Sequence, residues 1–392
     1  MFGISIYLSE NNDFEATIES AAKNHFSLIF SSLHIPEENP ANYKHLLTRL
    51  ANAAKKNNMQ LILDISAKSL ENLDLTISQA DQLKTLGVTG LRVDYGLSTL
   101  EIAELATKIK VFLNASTINR PFLEELLQAG VDIAQVEAFH NYYPKPHTGL
   151  DTVFFKQTND FLHEYGLKIA AFVPGDGEHR QPLFEGLPTL EKHRTCQPFA
   201  AALELENLGV DHVYIGDPTL RPETTQQFAT YAKDGTILLE CVVTETLAPE
   251  LMKQLTSLDR NRMDPARDLI RLENSRPALS HLEIQPTSKN TRSAGTITVD
   301  NVLFGRYQGE ISIVRKDLPA EVNQTLSAMS QHKRCYYCPS YNLDNLFSYL
   351  QSVKKCHTNI STARFSLLHS DIYLFNSFYH LSPYLHISND FV

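Results

Sequence analysis

Eight short apolar runs, separated by amphipathic segments of helical spacing, predict an α/β fold, a TIM-like (β/α)8 barrel. The runs are Gly3–Leu8, Phe26–Phe30, Gln60–Ile65, Gly90–Asp94, Lys110–Asn114, Val131–Glu137, Leu167–Val173 and His212–Ile215. Segments such as Ala41–Lys56 and Arg120–Gln128 lie between them and have a helical pattern. Eight strand–helix units in this length are typical of such a barrel. A doubly wound open sheet is the alternative, although its glycine-rich phosphate loop does not follow the first run.

Glycines mark the ends of four predicted helices, just before the next strand. They are Gly87, Gly130, Gly166 and Gly209. Glycine is favoured at this place because it readily adopts the left-handed conformation that closes a helix. Their spacing therefore supports the alternation of helices and strands.

Polar side chains share one face of several predicted strands and gather at the C-terminal ends of these strands. Alternation places Tyr7 in strand 1 opposite the aliphatic residues, and likewise Asp64 in strand 3 and Asp94 in strand 4. Asn114 ends strand 5, and Glu137 ends the predicted strand 6. Because barrel enzymes build their sites at this end of the strands, we expect a polar, acidic mouth there.

Two loops that follow these strands are rich in groups that bind polar ligands. The segment 137–149, EAFHNYYPKPHTG, contains His140, Asn141 and Tyr143 between a strand and two prolines. The loop 174–194 after strand 7 contains a set of charged residues, namely Arg180, Glu185, His193 and Arg194. Such cations beside an acidic mouth favour an anion-binding corner, although a solvated charged loop is equally compatible with the composition.

Charge and composition limit the classes of partner. The net charge of −10 argues against nucleic acid and against an anionic membrane surface. The first residues, MFGISIYLSE, lack the basic and long apolar regions of a signal peptide. No apolar run approaches the ~18 residues of a membrane span. The five cysteines are an odd number and do not form a secreted disulfide pattern, so we expect a cytoplasmic protein.

The sequence does not predict a metal or a cofactor. His140 and His147 lack the spacing of a zinc motif. Asp64 and Asp94 are compatible with a magnesium ion, but acid–base chemistry uses the same pair. No lysine ends a predicted strand, which argues against Schiff-base chemistry.

The alternation of strands and helices stops after residue 235, and two further segments follow. Residues 236–321 alternate as strands and predict a small β-rich domain, whose Arg292 is a candidate for closing the site. Residues 322–392 form an atypical tail without any glycine or glutamate. Since a β-rich domain needs turn residues, we interpret the tail as an out-of-frame, disordered or private extension.

Several long motifs follow one another along the chain, from residue 1 to about 320: GISIYL at 3–8, LDIS at 63–66, LRVDYG at 91–96, NAST at 114–117, HNYYPKPHTGL at 140–150, PLFEGLPTLEKHR at 182–194, IGDP at 215–218 and TRSAGTITVDN at 291–301. Together they resemble the bacterial 6-phospho-N-acetylmuramidases. The resemblance implies a TIM-like barrel followed by a small cyclophilin-like domain. It also implies a cytoplasmic glycoside hydrolase that releases 6-phospho-N-acetylmuramic acid from N-acetylglucosamine in cell-wall recycling. The tail does not resemble the family's C-terminal strands.

This resemblance suggests roles for the candidate residues. Glycoside hydrolysis usually needs two carboxyl groups that flank the bond. We expect Glu137 to be the general acid, because its apolar and aromatic loop would raise the pKa of a carboxyl group. Asp94 is the expected partner, and Asp64 is the next choice. The substrate-binding candidates are Tyr7, Asn114, His140, Asn141 and Tyr143 for the sugars, Arg180, His193 and Arg194 for the phosphate, and Glu185, Asp217 and Arg292.

Two other functions fit the same pattern. A non-catalytic protein that binds phosphorylated amino sugars would not need paired carboxylates. A metal-dependent phosphosugar isomerase or aldolase would use the same type of barrel mouth, with Asp64 and Asp94 as ligands.

Overall fold

The chain forms two compact units that divide between Asp234 and Gly235 in the computed structural model. The structure describes residues 1–8, 13–32, 43–65, 70, 73, 75–93, 96–243, 247–287, 291–330, 350–353 and 361–368. Asp94 and most of the predicted tail therefore lie outside the described residues. Within these ranges, none of the helices is long and apolar enough to cross a membrane.

The first unit is a closed barrel of eight parallel strands, which confirms the predicted fold class. The strands follow one another around the barrel, and β8 pairs with β1 through Tyr214 and Gly3. In chain order they are β1 Phe2–Ser5, β2 Leu28–Ser32, β3 Gln60–Ile65, β4 Gly90–Val93, β5 Lys110–Asn114, β6 Val136–Phe139, β7 Lys168–Val173 and β8 His212–Ile215.

Helices alternate with these strands. They are α1 Phe14–Lys23, α2 Tyr43–Lys56, α3 Asp81–Leu86, α4 Thr99–Lys108, α5 Arg120–Gln128, α6 Thr152–Glu164, α7 Pro198–Asn207 and α8 Pro222–Asp234. Side chains cap several N-termini, as Ser98 and Glu101 do for α4 in a capping box. The four glycines predicted at helix ends all have positive φ, for example 113° at Gly87. Sequence and local structure agree at these points.

An aromatic layer fills the middle of the barrel. It consists of Phe30, Phe112, Phe139, Phe172 and Tyr214, which come from five different strands. Phe139 stacks on Phe172 with ring centroids 4.9 Å apart, and Phe30 meets Phe172 edge-on at 5.1 Å. Side chains of β2, β6 and β7 can all meet only inside the closed barrel. The layer therefore separates the N-terminal end of the barrel interior from the C-terminal mouth.

The sixth strand begins later than the sequence predicts. Residues Ile133–Gln135 form a 3-10 turn, and Asp132 Oδ1 accepts a hydrogen bond from Ala134 N at 3.0 Å. This capped turn ends the extended run that the apolar pattern predicted over Val131–Glu137. Glu137 is consequently the second residue of β6 rather than the last. It lies on the N-terminal side of the aromatic layer, and Phe139 lies within the layer.

The second unit is built on a separate sheet. Its strands are β9 Thr236–Val243, β10 Leu258–Asp259, β11 Leu269–Arg271, β12 Thr296–Asp300, β13 Ile311–Val314, β14 Gln324–Ser330, β15 Leu350–Val353 and β16 Ser361–Leu368. Their order in the sheet is β10-β16-β9-β14-β12-β13-β11, and β15 pairs with β16. The short helices α9 Pro249–Leu255 and α10 Ser275–Leu279 precede β12.

The described parts of the predicted tail belong to this sheet. β14 pairs with β12 and β9, and β16 pairs with β9 along its whole length, from Ser361 opposite Val243 to Leu368 opposite Thr236. The sheet therefore continues beyond residue 321, where we placed the limit of the small domain. The origin of the tail stays a prediction, because most of it lies outside the described residues.

Candidate active site

A buried ion pair lies at the C-terminal ends of β3 and β4. Arg92 Nη1 is 2.7 Å from Asp64 Oδ1, and Ser32 Oγ donates to Asp64 Oδ2 at 3.1 Å. Arg92 Nη2 donates to Asn141 Oδ1, and its guanidinium lies 5.6 Å from the ring of Phe139. The pair thus rests on the mouth side of the aromatic layer. A guanidinium and a carboxylate at this distance form a charge-assisted hydrogen bond.

Two tyrosines and an arginine form a second cluster at the mouth. Arg180 Nη1 donates to Tyr142 Oη at 2.9 Å, and its guanidinium lies 4.0 Å from the ring of Tyr7. Tyr7 Oη donates to the carbonyl of Gly216 at 2.6 Å, and Tyr142 packs edge-on against Phe172. Burial raises the pKa of both phenols, so they are neutral hydrogen-bonding groups. The half-buried Arg180 provides a cation at this place.

Tyr142 is a site residue that the sequence analysis missed, since it favoured Tyr143. The backbone of Tyr143 is bound on both sides, with its N–H donating to Pro188 O at 2.9 Å and its carbonyl accepting from Arg194. Strand alternation gives no signal here, because the chain has already left β6 at Phe139. Only the packing of the Tyr142 ring on the aromatic layer identifies it.

Asp217 holds the loop 174–194 in place through backbone hydrogen bonds. Its Oδ2 accepts hydrogen bonds from Gly175 N at 2.8 Å and Leu187 N at 3.0 Å, and its Oδ1 accepts from Arg180 N at 3.1 Å. The residue is only 1% exposed. Backbone amides on both sides of the loop therefore donate to this carboxylate, and substrate binding by Asp217 stays a prediction.

The side chain of Arg194 is also bound by other groups of the protein. Its Nε and Nη2 pair with the two oxygens of Glu191, each at 2.7 Å, and Nη1 and Nη2 donate to four carbonyls, those of Glu185, Gly186, Tyr143 and Lys145. Hydrogen bonds from Arg194 lower the pKa of Glu191 to about 2. The side chain of Arg194 is 8% exposed. Arg194 therefore joins two loops, and its binding of a phosphate stays a prediction.

The two candidate histidines point away from the mouth. His140 is fully buried, with Nε2 2.8 Å from Asn159 Oδ1 and its ring 4.4 Å from Phe155 of α6. Burial lowers its pKa to about 4. His193 is fully buried as well, with Nε2 2.7 Å from Glu204 Oε2, and burial lowers its pKa. Both rings contact helices outside the barrel, and the ligand contacts expected of His140 and His193 stay predictions.

Glu137 lies at the opposite end of the barrel interior from the polar mouth. Its Oε1 is 2.5 Å from Lys110 Nζ, and its Oε2 is 3.4 Å from His212 Nε2. Lys110 and His212 are the first residues of β5 and β8. The aromatic layer separates Glu137 from Asp64, so the expected position of Glu137 at the mouth is wrong. The late start of β6 is the cause.

The remaining candidates are in different environments. Asn114 ends β5, and its Oδ1 accepts from Ser116 N at 3.1 Å. Glu185 offers its carbonyl to Arg194, and its side chain is exposed. Arg292 belongs to the second unit, where its Nε donates to Pro319 O at 2.9 Å and its Nη1 donates to Gln324. Asp94 lies outside the described residues.

The described residues contain no group of three His, Cys, Asp or Glu side chains arranged to hold a metal ion. The mouth instead offers one ion-paired carboxylate, amides, two phenols and a half-buried guanidinium. Such groups can bind an anionic sugar through hydrogen bonds and charge.

Two family models match this chain over most of its length. Residues 2–230 match the N-terminal part of 6-phospho-N-acetylmuramidase, and residues 237–328 match its C-terminal part. A search of curated proteins found no match.

Two solved structures are similar over nearly the whole chain. One is a conserved protein of unknown function from Enterococcus faecalis, with 37% identity, a TM-score of 0.78, and coverage of 95% of this chain and 97% of that chain. The other is an uncharacterised Bacillus cereus protein, with 23% identity, a TM-score of 0.68, and coverage of 94% and 99%. The second likeness concerns the fold alone. From the two family matches, the chain belongs to the 6-phospho-N-acetylmuramidase family, which is named for a glycoside hydrolase activity.

Proposed function

We propose that this enzyme hydrolyses the bond between 6-phospho-N-acetylmuramic acid and N-acetylglucosamine during cell-wall recycling. The observation that carries the proposal is the Asp64–Arg92 pair, at the C-terminal mouth of a barrel that the family model matches. Barrel enzymes perform their chemistry at this face. The phosphorylated muramic acid is the substrate that the family name implies.

Asp64 is proposed as the ionised carboxylate of the reaction. Its side chain is 13% exposed, so it is accessible from the mouth, and Arg92 Nη1 pairs with it at 2.7 Å. A charged carboxylate suits a nucleophile or base, while a second carboxyl group must donate the proton to the leaving oxygen. Asp94, two residues after Arg92 in the sequence, is proposed for that second role. Glu137 is not proposed, because the aromatic layer lies between it and the mouth.

Arg180 is proposed to bind the anionic part of the substrate. Its guanidinium is half-buried between Tyr7 and Tyr142, where a bound phosphate or carboxylate would displace little water. A planar guanidinium can donate two parallel hydrogen bonds to such an anion. Asn141 and Asn114 are proposed to bind sugar hydroxyl or acetamido groups. These roles rest on their place near the mouth and on their chemistry.

Mass spectrometry of the products formed from the 6-phosphorylated muramyl disaccharide tests this function. We expect two monosaccharides, one of them phosphorylated, and we expect the reaction to be insensitive to EDTA. Asp64→Asn should lower kcat by about 100-fold or more, because it removes the reacting charge. An isomerised disaccharide, or activity that depends on added metal, would instead favour the isomerase or aldolase alternative. Tight binding without turnover would favour a sensor.

A further inference from the structure

Phe184 is an exposed aromatic residue with an unusual backbone conformation, in the loop 174–194. Its φ is 56°, and the residue is 52% exposed. The neighbouring Leu183 is 46% exposed. A bulky side chain in the left-handed region is rare, because its Cβ crowds the following carbonyl oxygen. Glycine or asparagine would fit this backbone with less strain, and either would expose less apolar surface.

Hydrogen bonds hold Phe184 in this conformation. Phe184 N donates to the carbonyl of Arg180 at 3.1 Å, which closes the turn between the two residues. The ring nitrogens of His179 lie 3.0 Å from the carbonyl of Phe184 and 3.1 Å from that of Gly175. The protein therefore keeps an exposed phenyl ring on a strained but well-supported turn. Such strain is typical of residues kept for function.

The same turn carries the arginine of the mouth. Arg180 N donates to the buried Asp217, and its guanidinium donates to Tyr142 and covers the ring of Tyr7. The turn 180–184 therefore contacts the mouth through Arg180, and Phe184 at its other end is exposed. The hydrogen bond from Phe184 N to the carbonyl of Arg180 thus keeps an exposed phenyl ring on the same short turn as this arginine.

We propose that Phe184 packs against the non-phosphorylated sugar of the substrate and so determines the preference for a disaccharide. This inference rests on the proposed function. N-acetylglucosamine carries its ring substituents equatorially, so its two faces present C–H groups. An aromatic ring packs well on such a face and stabilises it by burying apolar surface. Arg180 would hold the anionic sugar, and Phe184 would hold the leaving sugar.

Kinetics of Phe184→Asn on two substrates test the inference. Asparagine tolerates the left-handed backbone, so the variant should fold at least as well as the wild type. We expect kcat/KM for the disaccharide to fall about tenfold, mainly through KM. The anomeric fluoride of 6-phospho-N-acetylmuramic acid has no second sugar, and its kcat/KM should not change. Leu127→Ser is the matched control, since Leu127 is 44% exposed at the end of α5.

The outcomes separate this inference from the proposed function. Equal loss on both substrates, or no loss on either, would overturn the role of Phe184 while leaving the hydrolase intact. If the wild type hydrolyses neither substrate, the proposed function itself is wrong.

A fluorescence titration then tests the contact without turnover. The chain contains no tryptophan, so Phe184→Trp in an Asp64→Asn background provides a single reporter. Its emission should change with the disaccharide but not with 6-phospho-N-acetylmuramic acid alone. An unchanged spectrum with the disaccharide would overturn the inference.

Discussion

Two carboxylates inside the barrel, Asp64 and Glu137, differ in what they can reach. Asp64 opens to the mouth and pairs with one arginine. The side chain of Glu137 is 5% exposed and lies between Lys110 and His212, both at N-terminal strand ends. Glu137 pairs with the ammonium of Lys110 on the adjacent β5 and lies beside the imidazole of His212, whose pKa burial lowers. Such a buried ion pair stabilises the fold, because removing one partner leaves the other charge buried.

We therefore predict that Glu137→Gln lowers stability and spares catalysis. The substitution should reduce the free energy of unfolding by about 1–2 kcal/mol, since glutamine keeps an acceptor but loses the charge. Urea denaturation measures the loss, and kcat per folded molecule should stay close to that of the wild type. A large fall in kcat with unchanged stability would instead return Glu137 to the reaction. Asp64→Asn is the matched comparison.

Asp300 in the second unit is predicted to make stability depend on pH. Burial is the main cause that raises its pKa to about 7 from 3.8, and the nearby Glu310 raises it further. Because the folded state then holds its proton more tightly than the unfolded chain, stability is greatest below about pH 4 for this group and falls as the pH rises towards 7.

Asp300→Asn removes this dependence, because asparagine does not titrate and can still accept from Gln324. The variant should unfold at a higher temperature than the wild type near pH 8 and at a similar temperature near pH 4. Thermal unfolding over this range measures the difference. A variant that is less stable at every pH would contradict the predicted sign.

At the scale of elements, the loops around the mouth are held by buried polar anchors. Asp217 binds backbone amides on both sides of the loop 174–194. Arg194 joins this loop to the segment 143–149 through carbonyls and through Glu191, which itself accepts from Gly149 N at 2.7 Å. These hydrogen bonds connect the two loops, so that the loops together support Tyr142 and Arg180.

Arg194→Ala is predicted to act through this support. The substitution removes several hydrogen bonds and leaves Glu191 without its main partner, so the free energy of unfolding should fall by about 2–4 kcal/mol. Activity should fall similarly on the disaccharide and on the fluoride, because the whole mouth loosens. Arg180→Ala is the comparison. It should raise KM strongly with a smaller loss of stability. If Arg194→Ala raised KM alone, a direct ligand contact would explain it better.

The position of β6 shows why the elements were predicted better than the site. The apolar pattern locates a strand near residues 131–139, but it does not distinguish the 3-10 turn at Ile133–Gln135 from extended chain. A shift in the start of the strand moved Glu137 along the barrel axis. Alternation still predicted correctly that Glu137 faces inwards. Whether a side chain faces the barrel interior follows from alternation along its own strand. How far along the barrel axis it lies depends on the register of that strand with the neighbouring strands.

At the scale of the whole molecule, the described tail segments complete the sheet of the second unit. β9 lies between β14 and β16; β14 pairs with its last three residues, and β16 pairs with it from Thr236 to Val243. Without β16, the edge of β9 would present unpaired N–H and C=O groups. The match to the Enterococcus faecalis structure covers 95% of the chain, so it includes much of this tail.

Truncation after Ser330 is therefore predicted to destabilise the second unit and to promote association through β9. The truncated protein should unfold at a lower temperature and form larger species in size-exclusion chromatography, while the full chain does not. A monomeric truncated protein with unchanged unfolding would support an accessory tail. Resequencing of the locus tests the out-of-frame hypothesis separately, and a single intact frame would reject it.

The sequence by itself determined the barrel, its eight strands, the inward direction of Asp64 and Asn114, and the family. These depend on periodicity and on long motifs, which are local properties of the chain. The tertiary structure decided which polar groups meet at the mouth. Asp217, Arg194, His140 and His193 are occupied by partners that are distant in sequence or behind the strands, and Tyr142 reaches the mouth by packing on the aromatic layer. Such contacts depend on how separate elements pack, and no local pattern records them.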